Sequence, residues 1–199
     1  MPKLQKEFYE RSDILLIARE LLGKIICTNF NEKLTSGIIV ETEAYAGETD
    51  KASHAYGGKR TTRTKIMYES GGITYIYLCY GIHHLFNIVT NKKHTPHAIL
   101  LRAIEPLEGI KTMLERRNKN NLNFNLTSGP ARLTNSLGIT MNENGSSLFG
   151  DLIWIENQKN IPINNIISSP RVGIPYAQEH IHNPWRFRIK NNPWTSPYN

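Results

Sequence analysis

Seven stretches rich in Ile, Val, Tyr and Thr constrain this chain most: 24–28, 37–45, 73–80, 85–91, 98–104, 151–156 and 185–190. Each has the length of a strand, and Gly-containing or polar segments separate most of them. Connections of hairpin length predominate in the middle of the chain, so the predicted sheet is mostly antiparallel. Three helical stretches accompany it. Residues 12–22 carry a wide apolar face suited to packing on a sheet. Ser12 or Asp13 can accept the free N–H groups of the first turn, and Gly23 can take a left-handed position at the end. Residues 107–117 follow Pro106, and residues 128–137 start at Ser128, with Pro130 in the first turn and Gly138 just past the end. The predicted class is α+β, and 199 residues fit a single domain spanning 1–199.

Charge narrows the function classes. The chain has 24 Lys plus Arg against 17 Asp plus Glu, a net charge of +7. A positive balance points to polyanions, nucleic acid before anionic membrane. No apolar run approaches the roughly 20 residues that span a bilayer. No apolar segment follows the charged N-terminus, so a secretory signal is not expected. The two cysteines, Cys27 and Cys79, form no paired motif and are expected to be buried apolar thiols in a reducing compartment.

Three clusters could carry chemistry. In Val40-Glu41-Thr42-Glu43-Ala44-Tyr45, a strand period of two places Glu41, Glu43 and Tyr45 on one face. From this segment alone a solvated face with two ordinary carboxylates is the simpler reading. The alternative is a partly desolvated glutamate beside an aromatic ring, able to activate water near neutral pH. Between His54 and Lys65, the cations Lys59, Arg60, Arg63 and Lys65 lie among glycines and threonines. This is either a flexible basic loop or a phosphate-contacting one. The third cluster, Tyr75 to Asn87, reads as a hairpin with Tyr80-Gly81-Ile82-His83-His84 at its tip. Alternation sets Tyr77 and Tyr80 on opposite sides. Tyr and Ile exposed at a turn gain nothing from folding, and such wedges can enter a base stack. Residues 118–125, rich in Asn, read as a mobile polar loop.

Other chemistries lack their motifs. Six of the seven histidines fall in three close pairs, His83 with His84, His94 with His97 and His180 with His182, but there is no HExxH, no deaminase-type HxE with PCxxC and no zinc-finger pattern, so no metal is expected. There is no GxxxxGK[ST], GxGxxG or GxSxG. A non-catalytic nucleic-acid-binding module and a histidine-based metal-dependent hydrolase remain as competing readings.

Taken together, these segments resemble the alkyladenine (3-methyladenine) DNA glycosylase family. The resemblance is carried by Leu21–Lys24, Val40–Tyr45, Ala52-Ser53-His54 with Gly57, Gly58 and Arg63, and Tyr75-Ile76-Tyr77 with Tyr80, Gly81 and Asn87. It continues through Leu100–Ala103 with Glu105–Gly109, Ser128–Leu133, Arg171–Ile174 and Trp185–Phe187. The motifs occur in the family's order over nearly the whole chain. The linker between Asn87 and Arg102 is slightly longer than usual, and the Asn-rich stretch is peculiar to this sequence.

The resemblance implies a curved sheet surrounded by helices, with a protruding β-hairpin. It implies that Glu43 is the general base activating water, with Arg102 beside that water and the backbone carbonyl of Val172 as a further acceptor. Tyr45, His54 and Tyr77 would wall the extruded base, and Asn87 would crowd the 2-amino group of normal guanine. Tyr80 would be the intercalating wedge. Lys59, Arg60 and Arg63, with Ser128 and Arg132, would contact phosphates. The implied partner is double-stranded DNA containing damaged purines, with no cofactor, metal, membrane or obligate protein partner. The expected compartment is the bacterial cytoplasm at the nucleoid, favoured by the Lys/Asn bias, or the nucleus of a eukaryote.

Overall fold

The structure is a computed structural model and describes residues 1–196. A short helix α1 (Lys6–Tyr9) and helix α2 (Ile14–Glu20) come first. Asp13 begins α2 by accepting a hydrogen bond from the Leu16 N–H, and Gly23 beyond it has φ +82°. The strands β1 (Ile25–Phe30), β2 (Lys33–Tyr45), β3 (Ile73–Cys79), β4 (His83–Thr90) and β5 (His97–Glu108) follow. Then come α3 (Ile110–Arg116), α4 (Pro130–Leu137), β6 (Ile153–Glu156), β7 (Ile166–Ser169) and β8 (Arg186–Ile189).

One sheet runs in the order β3-β4-β5-β2-β1-β6, with β8 joining β2 to β7. Every strand pairing among the described residues is antiparallel. The predicted α+β class with a curled antiparallel sheet is therefore the observed one. Curling centres on β2, whose pairing with β5 shifts register between Ile39 and Glu41 and again between Glu41 and Thr42. Such bulges bend and twist a strand. Past the bulge, Glu41-Thr42-Glu43 lies between β5 on one side and Arg186-Phe187-Arg188 of β8 on the other. Thr42 donates to the Ala18 carbonyl of α2, which fixes that helix on the sheet. The main core gathers Ile17 and Leu21 from the α2 region, Leu133 and Leu137 from α4, and Phe86, Ile88, Leu101 and Phe187 from the strands.

Four expectations are corrected. The segment after Pro106 is strand as far as Glu108, and α3 starts only at Ile110. Pro106 is accommodated because it pairs with Gly37 at a register shift, where a missing N–H is tolerated. Gly109 makes the turn between them at φ +69°, where a Cβ would stand 2.2 Å from the Leu34 carbonyl oxygen. Helix α4 starts at Pro130 rather than Ser128, with Gly129 in the N-cap position and Gly138 closing the helix at φ +77°. The third correction concerns Cys79, which is only half-buried, whereas Cys27 is buried and its thiol pushed up to about 12 by burial and the nearby Glu156. The fourth is that alternation stops at Cys79, because Tyr80 adopts φ +52° and so escapes the strand period. The short elements α1 and β7 carry no sequence signal of their own, β7 forming where β8 offers an edge.

Candidate active site

The two carboxylates of β2 are not on a solvated face: Glu41 and Glu43 both have 0% exposure. Glu43 Oε2 accepts a hydrogen bond from the Tyr45 hydroxyl at 2.7 Å, and Oε1 accepts one from the Val172 N–H at 2.8 Å. Arg102 Nη1 lies 3.3 Å from the same Oε1. Glu41 Oε1 accepts from Arg102 Nε and Arg186 Nε, each at 2.7 Å. Burial by itself would raise the Glu41 pKa, but the two guanidiniums outweigh it and hold the carboxyl below its ordinary value. Burial and the adjacent Glu43 carboxylate push the Tyr45 hydroxyl well above the ordinary tyrosine range, so it stays a donor to Glu43.

Tyr45, Arg102 and Val172, which hold the Glu43 carboxylate, line a cavity of about 300 Å³. His54, Tyr75 and Tyr77 form an aromatic wall of it. The His54 ring meets Tyr77 edge-to-face at 4.6 Å, and His54 Nδ1 shares a 2.7 Å hydrogen bond with the Tyr75 hydroxyl. Burial, helped by the positive charge of Arg63, lowers the His54 pKa to about 4 and so keeps the ring neutral at pH 7. Asn87, 4% exposed, also lines the cavity, and its Nδ2 donates to the Tyr75 carbonyl at 3.1 Å, so the side chain is fixed. Leu100 of β5 and Gly129 to Arg132 at the start of α4 complete the far side.

At the rim stands the hairpin tip, where Tyr80 is 91% exposed and Ile82 70%. Tyr80 lines the same cavity as Tyr77, contrary to the opposite sides expected from alternation. Lys59, Arg60 and Arg63 are exposed, and the Arg60 guanidinium sits 4.1 Å over the Tyr68 ring. Arg132 is half-buried at the cavity edge and donates to Asn125 Oδ1 at 2.9 Å. Ser128, expected to contact phosphate, does not line the cavity itself. It is buried and bridges to Ala103 of β5, so its neighbours rather than its own hydroxyl face the cavity. For Val172, the group that meets Glu43 is the N–H.

Several site residues escaped assignment from sequence. Tyr75 completes the aromatic wall, and Tyr176, 58% exposed, stands at the cavity edge with its hydroxyl 3.2 Å from the Ala52 carbonyl. Arg171 pairs through two nitrogens with buried Asp50, at 2.5 and 2.9 Å, and lies 4.8 Å over the Tyr45 ring, backing it. Burial would raise the Asp50 pKa, and Arg171 reverses the shift. Tyr75 was visible as one of a run of tyrosines, but the partner of Arg171 could not be read because 121 positions separate it from Asp50. Among the described residues no three His, Cys, Asp or Glu side chains gather into a group able to hold a metal ion.

A family model described as methylpurine-DNA glycosylase matches residues 7–193. A relative from Chlamydia felis, named "Putative 3-methyladenine DNA glycosylase", is 46% identical over 94% of this chain and 95% of its own. Relatives of the same name from Natranaerobius thermophilus and Bacillus mycoides are 42% and 44% identical, covering 98% and 95% of this chain and 98% and 97% of theirs. The chain belongs to the methylpurine-DNA glycosylase family, enzymes that hydrolyse N-glycosyl bonds in DNA.

Proposed function

We propose that this enzyme removes alkylated or deaminated purines, 3-methyladenine among them, from double-stranded DNA by extruding the nucleotide and hydrolysing its N-glycosidic bond with a water activated by Glu43. The observation that carries the reading is a fully buried carboxylate held directly behind an aromatic cavity by residues that themselves line it.

Glycosidic bonds break through an oxocarbenium-like transition state, which an adjacent carboxylate stabilises. Water adds at C1′ as the base departs with the bonding electron pair. The water proton passes to Glu43, leaving an abasic site. Glu43 has no free surface at rest, so it must exchange one partner for the water. Tyr45 is the partner suited to this, because Val172 contributes a backbone N–H and Arg102 is tied to Glu41. Tyrosine faces attract an electron-poor or cationic ring more than a neutral one. A neutral His54 adds no repulsion against such a base. Extrusion costs a few kcal/mol, least for a damaged or mispaired base. Asn87, held by its hydrogen bond to the Tyr75 carbonyl, would crowd an exocyclic amino group.

The test is Glu43→Gln. Base release from methylated duplex, followed as free purine, is expected to fall by about 10²-fold or more, while affinity for the duplex survives. A variant as fast as the native enzyme would remove Glu43 from the mechanism.

A further inference from the structure

We infer that Glu41 and Ser196 are positioning residues for base release: Ser196 occupies the Glu41 carboxylate in a way that leaves one edge of the Arg102 guanidinium free to hold Glu43. The inference rests on the role given above to Glu43 and Arg102.

An arginine facing a lone carboxylate tends to pair with it through two parallel N–H donors. At Glu41 that mode is blocked. The Ser196 N–H donates to Oε2 at 2.6 Å, and the Ser196 hydroxyl donates to Oε1 at 2.8 Å. Arg186 Nε takes a further place on Oε1. Arg102 therefore meets Glu41 through Nε alone, with Nη2 3.4 Å from the Ser196 oxygen. The guanidinium is a rigid plane with a fixed fork of donors. Holding Nε and Nη2 sets the direction of Nη1, which lies 3.3 Å from Glu43 Oε1. Arg186 Nη2 also reaches the Ser196 oxygen, at 3.1 Å, and closes the cluster. Ser196 lies 155 positions from Glu41, so a distant stretch of sequence is brought back against that carboxylate.

A buried ion cluster is weak grounds for stability by itself. The distinguishing consequence is kinetic. Ser196→Pro removes both the N–H and the hydroxyl, and Ser196→Ala removes the hydroxyl only. Single-turnover release of purine from methylated duplex is expected to slow about tenfold or more in Ser196→Pro and by less in Ser196→Ala. Affinity for the same duplex should stay native when measured well below the melting temperature, which itself is expected to fall because a buried carboxylate loses its donors. A native rate in Ser196→Pro overturns the inference, as does a rate loss that disappears at a temperature where the variant is fully folded. Glu43→Gln, measured alongside, separates the two claims. If it is inactive while Ser196→Pro is native, only the positioning role fails. If it remains active, the underlying mechanism fails.

Discussion

Glu41 and Glu43 share a strand, a face and complete burial, and their partners alone divide their work. Glu41 is saturated by two guanidiniums and Ser196, whereas Glu43 is held by a tyrosine hydroxyl, one N–H and one edge of Arg102. The sequence placed both on one face but not beneath a cavity, since the covering residues come from β5, β8 and the segment around Val172. His54 gives a test at the same scale. Its pKa falls from an ordinary 6.5 to about 4, chiefly through burial. The unfolded chain therefore binds the proton more readily, and the stabilisation is complete above pH 6.5 and lost as pH falls towards 4. The shift corresponds to roughly 3 kcal/mol. Urea denaturation at pH 7 and pH 4 should show the native protein losing about that much more stability than His54→Gln. Equal losses would mean His54 is not buried neutral.

At the scale of elements, the β3–β4 hairpin and the bulged β2 do most to shape the site. The hairpin was legible because two β-rich runs flank a Gly-containing turn. The position of Tyr80 was not, since a residue at φ +52° obeys no strand period. Nor was the start of α3, where register against Gly37 keeps Pro106 in a strand. Tyr80, almost wholly exposed, has little packing to lose. Tyr80→Ala should therefore leave the melting temperature near native while weakening lesion duplex by about 1–3 kcal/mol, the usual scale of base–aromatic stacking. Single-stranded DNA should be affected less. Equal weakening of both, measured by fluorescence anisotropy, would exclude a wedge that acts by entering the duplex stack.

For the whole molecule, a net charge of +7 is carried partly by exposed Lys59, Arg60 and Arg63 near the aromatic wall. DNA affinity is expected to fall steeply with salt, and replacing these three by alanine should make log K against log[salt] shallower by about 2 to 3. An unchanged slope would place the phosphate contacts elsewhere. The sequence by itself determined the antiparallel α+β class, the hairpin and the family, because strand length, turn residues and ordered motifs are local along the chain. Only the tertiary structure decided that Glu43 is buried behind a cavity, that Arg171 backs Tyr45 and that Ser196 returns to Glu41. Those facts depend on desolvation and on contacts between residues more than a hundred positions apart, which no local pattern encodes.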